Sequence, residues 1–132
     1  AIYKFTTSIK NQNKLDLFNN GNHFRDFTYI DDVVEIISKL MKNKINYEDK
    51  NIPYSVFNVG NSKTVKITKI IKFIEDYYNK KAKIKNLNLQ KGDVFKTHAD
   101  VSNIFKVIKI QKKTSINEGI KKYLKWYERY YD

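Results

Sequence analysis

No cysteine occurs among the 132 residues of this chain. A disulfide framework, a thiol nucleophile and a thiolate metal site are thereby excluded, and a reducing cytoplasmic setting fits. Glycine occurs four times and proline once, and no stretch approaches the glycine-rich fingerprint of a dinucleotide-binding loop. The two histidines, His23 and His98, stand far apart without metal-ligand spacing around them. Each reads as a surface or loop residue, and no metal is expected. No apolar run approaches the roughly 20 residues of a membrane-spanning helix, so no membrane partner is expected. The first residues read as a helix rather than a signal peptide.

Arginine is nearly absent too. Of 26 basic residues only Arg25 and Arg129 are arginine, and the net charge is +12. Such a charge attracts polyanions, nucleic acid among them. The lysines, however, are spread over the whole length, whereas a nucleic-acid module concentrates its charge and reads base edges with arginine. Compositional bias is therefore the better reading, and no nucleic-acid partner is expected.

Hydrophobic residues make up 41% and charged residues 30%, inside the globular range, and the length suits one domain. In residues 1–12, Ile2, Phe5 and Ile9 predict a short helix. "LDLF" predicts a strand ending at the turn "NNG", and "HFRDFTYI" reads as extended. Val33, Ile36, Ile37, Leu40 and Met41 recur at helical spacing behind Asp31 and Asp32, which are expected to cap that helix. A polar loop spans residues 43–52 and closes at Pro53, and "YSVFNVGNS" reads as a buried strand stopped by Gly60. A helix over residues 66–79 presents Ile67, Ile70, Ile71 and Ile74. "AKIKNLNL" predicts a strand, "QKGDV" a turn, and residues 101–108 a short helix. The last helix opens with Ser115 and Glu118 at capping-box spacing, with Ile116, Ile120, Leu124, Tyr127 and Tyr131 on one side. Short strands alternating with about five helices give an α/β (or α+β) class.

Catalytic chemistry is scarce. "GNSKT" falls short of a P-loop, which needs a longer glycine-rich stretch ending in Gly-Lys-Ser/Thr. Tyr77 and Lys81 have the Tyr-x-x-x-Lys spacing of short-chain dehydrogenases, but no fingerprint precedes them, so the match reads as chance. Arg25 is more informative. A guanidinium grips a pyrophosphate with a rigid fork that lysine lacks, and Phe24 and Phe27 beside it would exclude water. A surface pair with Asp26 is the alternative.

"RDFTYIDDVVEII" resembles a segment of the NAD-dependent nucleotide-sugar epimerases and dehydratases, the extended short-chain dehydrogenases. "AIYKFTTSI", "LDLFNNG", "YSVFNVGNSKTVKI" and "QKGDVFKTHADVSNI" resemble further segments in the family's order. With "WYERYY", the last of these is most similar to the UDP-glucuronate 4-epimerase group. The resemblance covers nearly the whole chain and implies the smaller C-terminal domain, which binds the nucleotide-sugar. It implies a preceding Rossmann domain that holds NAD and the catalytic Tyr and Lys, and a homodimeric parent. Beginning at Ala1 without methionine, the chain reads as a piece of something longer, inactive alone, whose excision bares the face that meets the Rossmann half.

The resemblance further implies residue roles. Arg25 matches the arginine on the UDP pyrophosphate; Asp16, Leu17 and Phe18 match the strand lining the uracil; Phe27 occupies an aromatic position near the nucleotide. Asp93 matches an acidic residue associated with the ribose. Gln90 stands where many relatives carry a second pyrophosphate arginine, with Lys91 beside it as a point charge. The implied reaction interconverts UDP-glucuronate and UDP-galacturonate through a 4-keto intermediate. A 4,6-dehydratase or a neutral-sugar 4-epimerase remains the alternative within the family.

Overall fold

Alternation in Lys14–Phe18 makes the first strand, β1: Leu15 and Leu17 turn inward while Asp16 and Phe18 face outward. In the computed structural model the described residues are 1–43, 54–110 and 113–131. Most of the expected polar loop and Pro53 lie outside them. The elements follow in order: α1 (Ile2–Lys10), β1, β2 (Phe24–Asp26), α2 (Ile30–Lys42), β3 (Thr64–Lys66), α3 (Ile67–Tyr78), β4 (Lys83–Leu87), α4 (Ser102–Val107) and α5 (Ile116–Tyr131). The fold is mixed α/β, with five helices among the described residues.

These elements group into two compact units, one of residues 1–25, 64–97 and 124–132 and one of residues 26–63 and 98–123. In the first, β1 runs parallel to β4, from Lys14 opposite Lys83 to Phe18 opposite Leu87. Helix α1 packs on β1 and α3. Phe5, Ile9, Ile70, Ile71 and Ile74 are buried there, at about 1.5–3 kcal/mol for each large side chain taken from water. Asn79 ends α3 in the left-handed conformation, φ 50°, that asparagine tolerates at a helix C-terminus. The end of α5 is tied into the same unit: Thr7 Oγ1 lies 3.0 Å from the Tyr127 hydroxyl, and the Tyr77 hydroxyl donates to Glu128 Oε2 at 3.0 Å. Strands β2 and β3 form a second two-stranded sheet.

In the second unit Ile36 of α2 packs with Val101, Ile104 and Ile108, flanked by Leu40, Phe57 and Val59. Two expectations fail here. The first concerns Asp31 and Asp32. Tyr29 is the N-cap of α2 without a side-chain bond, and both aspartates lie inside the first turn. Asp32 is buried, so its carboxylate must be saturated, and it accepts from the Thr114 N–H at 2.8 Å and hydroxyl at 2.6 Å. It is a tertiary tether, while Asp31 is left with the favourable helix dipole. The second concerns "YSVFNVGNS". Residues 54–60 form no strand, and Tyr54 and Val56 are exposed although Phe57 and Val59 are half-buried. The alternation survives, but no strand among the described residues pairs with it. Gly60 answers to a close approach instead, because a Cβ there would lie 2.4 Å from the Ala99 Cβ.

Helix α2 also leaves an apolar stripe uncovered among the described residues: Ile30, Val34, Ile37 and Met41 are all at least half exposed. Their i, i+4, i+7, i+11 spacing puts them on one side of the helix. The start of α5 follows expectation, since Ser115 Oγ accepts the Glu118 N–H at 3.3 Å. No helix among the described residues is long and apolar enough to cross a membrane.

Candidate functional site

The backbone around Arg25 is held before its side chain is. Phe24 N–H donates to the Phe95 carbonyl at 2.9 Å, Thr97 N–H to the Phe24 carbonyl at 3.1 Å, and Ile67 N–H to the His23 carbonyl at 2.9 Å. The Phe24 and Phe95 rings meet at 5.7 Å. On this frame the guanidinium is held at three points. Nη1 donates to the carbonyls of Phe24 at 2.9 Å and Phe95 at 3.2 Å, and Nη2 donates to Asp93 Oδ1 at 2.8 Å. A guanidinium has five N–H donors, so two are left over. The side chain is 24% exposed. A planar fork fixed at three points with two donors unused is suited to a phosphate or carboxylate.

Asp93 is positioned by a tight turn. Its N–H donates to the Gln90 carbonyl at 3.0 Å, and Gly92 takes φ +85°, the region that favours glycine. Asp93 Oδ2 lies 3.2 Å from Nδ1 of His23. That histidine lies in a loop, as expected, but at 6% exposure it is not at the surface. It lies two positions before Arg25, and an extended chain sends alternate side chains to the same side. Sequence reasoning missed it, and this i, i+2 spacing was the available signal. His98 is exposed as expected.

The alternative pair between Arg25 and Asp26 does not form. Asp26 instead accepts from the N–H groups of Asn61 at 3.1 Å, Ser62 at 3.0 Å and Ala99 at 3.0 Å. Ser62 has φ +55°, which helps aim successive amides at one anion. The phosphate-like look of "GNSKT" thus has a local cause: its backbone binds an anion, and the anion is the chain's own carboxylate. Lys113 donates to the Asn61 carbonyl at 3.2 Å, and burial pushes its ammonium below the ordinary lysine range.

The other expected site residues fall out as follows. Asp16, Leu17 and Phe18 lie together on β1, with Leu17 in the core and Asp16 and Phe18 exposed. That strand has β4 as its one sheet neighbour among the described residues, so its other edge carries no strand. Gln90 and Lys91 are exposed, and Gln90 closes the turn before Asp93 through its carbonyl. Phe27 is half-buried and belongs to the second unit.

Tyr77 and Lys81 do not make a catalytic pair. Burial, followed by the hydrogen bond and charge of Glu128, pushes the Tyr77 phenol above its ordinary range, the opposite of what a tyrosine base needs. Lys81 lies 3.7 Å from Glu75. The four glycines, at positions 21, 60, 92 and 119, sit in four separate places and form no phosphate cradle. Among the described residues no group of three or more His, Cys, Asp or Glu side chains is arranged to hold a metal ion.

Residues 1–60 match the NAD dependent epimerase/dehydratase family. Protein CapI of Staphylococcus aureus is 37% identical over 99% of this chain and 42% of its own length. UDP-glucuronate 4-epimerase of Thermodesulfobacterium geofontis is 34% identical over 96% of this chain and 37% of its own. The crystal structure of UDP-glucuronic acid 4-epimerase from Bacillus cereus, in complex with UDP-glucuronic acid and NAD, is 26% identical with a TM-score of 0.85. It is covered over 99% of this chain and 40% of that one. The chain thus spans about two fifths of the length of the relatives it matches. By sequence and by fold the chain is similar, over part of their length, to the NAD dependent epimerase/dehydratase family and to UDP-glucuronate 4-epimerases.

Proposed function

We propose that this chain is the nucleotide-sugar-binding part of an NAD-dependent epimerase that interconverts UDP-glucuronate and UDP-galacturonate. The observation that carries the reading is Arg25, pinned by Phe24, Phe95 and Asp93 with two donors left over for an anion. In this reading Arg25 grips the diphosphate. The edge of β1 at Asp16, Leu17 and Phe18 that carries no strand takes the uracil. Asp93 meets the ribose while orienting Arg25, and Gln90 with Lys91 forms the rim. Such remote contacts hold a sugar whose reacting carbon is worked on elsewhere, so their binding energy is spent on orientation.

The catalytic groups and NAD belong to a Rossmann domain in the rest of the parent, a cytoplasmic homodimer, and this chain alone is inactive. The bare stripe of Ile30, Val34, Ile37 and Met41 is where that domain docks. Two things support this occupant: the chain spans about two fifths of its relatives' length, and the stripe lies beside no covering element among the described residues. Likeness to the Thermodesulfobacterium epimerase favours the uronate over a neutral sugar or a dehydratase.

The test is direct. Full-length protein incubated with UDP-glucuronate and NAD is expected to yield UDP-galacturonate by anion-exchange chromatography. A 4-keto-6-deoxy product from a UDP- or dTDP-hexose, with UDP-glucuronate left untouched, would replace the epimerase with a dehydratase.

A further inference from the structure

We propose that His23 is a positioning residue for Arg25, acting through Asp93. The proposal rests on the reading that Arg25 binds the diphosphate. His23 and Arg25 leave the chain on the same side, two residues apart, and both reach the carboxylate of Asp93, one at each oxygen. Nδ1 of His23 lies 3.2 Å from Oδ2, and Nη2 of Arg25 lies 2.8 Å from Oδ1. A carboxylate only accepts, so the histidine proton sits on Nδ1. Nε2 is buried with no partner among the described residues, so a proton there would be unsatisfied. The tautomer follows from this pairing, and the polar contact the ring makes is the 3.2 Å approach to Asp93.

The geometry requires such a support. Asp93 sits one residue beyond Gly92, in a turn whose neighbours are exposed, and its own side chain is 30% exposed. Held by Arg25 alone, its carboxylate would be free to rotate toward solvent. The buried imidazole pins the far oxygen and so presents the near oxygen to Nη2. The two carbonyls hold Nη1, but the third point decides where the two unused donors aim. Orientation of this kind affects what binds the fork and has little to do with the rest of the nucleotide.

The experiment is calorimetric titration of the full-length protein with UDP and, separately, with uridine, which lacks the diphosphate. His23→Phe keeps the ring volume and removes the donor. It is expected to weaken UDP about tenfold, the scale of one hydrogen bond, and to leave uridine unchanged. His23→Asn places an amide N–H where Nδ1–H was and is expected to restore most of the UDP affinity, whereas His23→Gln, with its amide displaced, is not. Equal UDP affinities for His23→Asn and His23→Gln would overturn the proposal, and this comparison stands even if His23→Phe does not fold. Wild-type UDP affinity in His23→Phe would overturn it too, as would parallel losses for UDP and uridine. Arg25→Ala separates the two readings. Weak UDP binding there with no effect at His23 sinks only the role of His23, while unchanged UDP binding there sinks the diphosphate site itself.

Discussion

The Asp32 carboxylate takes both donors of Thr114, the backbone N–H at 2.8 Å and the hydroxyl at 2.6 Å, across 82 positions of sequence. A helix cap would involve only α2, whereas this tether fixes the loop that leads into α5. Asp32→Ala is expected to cost about 2–3 kcal/mol, because two hydrogen bonds to a charged group vanish and a part-buried N–H loses its partner. Thr114→Val should cost about 1 kcal/mol, and the two losses should be less than additive in a double-mutant cycle. Urea unfolding measures all three. If Asp32 were only a cap, Thr114→Val would be silent.

Gly60 and Gly92 separate steric from conformational demand. A Cβ at position 60 would meet the Ala99 Cβ at 2.4 Å and Asp26 Oδ2 at 3.1 Å. Gly60→Ala is expected to destabilise by about 1–3 kcal/mol, the cost of overpacking. Gly92 has φ +85° and open space around it, so Gly92→Ala should lose about 1 kcal/mol from backbone strain alone. Urea midpoints of the two variants will rank them.

Arg25 is expected to matter for the ligand rather than the fold. In the full-length protein Arg25→Ala should weaken UDP by about 1.5–3 kcal/mol, the range of a charge-assisted bond. Arg25→Lys should recover little of this, since a lysine cannot span two carbonyls and a carboxylate while offering a fork. Calorimetry checks both. Wild-type affinity in Arg25→Ala would remove the site.

The stripe on α2 gives opposite outcomes in two contexts. Ile37→Asp is half exposed here, so in the isolated chain it should change stability by less than about 0.5 kcal/mol. In the full-length protein it should lower the melting temperature by several degrees, because a charge is buried at the interface. Equal effects in both would show that nothing covers the stripe.

Alkaline stability should depend on Tyr77. Its phenol is raised above the ordinary value near 10 by burial and by Glu128. A raised acid is favoured in its neutral form by the fold, so this contribution is full below the unfolded value and is lost as pH climbs past about 10. Tyr77→Phe should therefore flatten the fall in stability above pH 10. Denaturant titrations at a series of pH values will show the slope.

The helices were legible because their reasons are local. Ile67, Ile70, Ile71 and Ile74 mark one face by spacing alone, and α3 buries all four. The same holds for Leu15 and Leu17 on β1, and for Ser115 ahead of α5. The stretch at 54–60 read as a strand because alternation was the signal, but a strand exists only when a partner supplies its hydrogen bonds. Sequence marked Arg25 as an anion binder or half of an ion pair, and could go no further without the family resemblance.

Tertiary structure decided the charges. Asp26 looked like the partner of Arg25 and instead holds the amides of Asn61, Ser62 and Ala99, up to 73 residues away. Asp93 took its place at Arg25, and His23, which read as a surface or loop residue, lies in a loop but buried beside it. Periodicity along the chain marks which residues share an apolar face, because that depends on each residue and its near neighbours. Which donor meets which carboxylate depends on distant segments folding to within about 3 Å of each other, the reach of a hydrogen bond, and no local pattern encodes it.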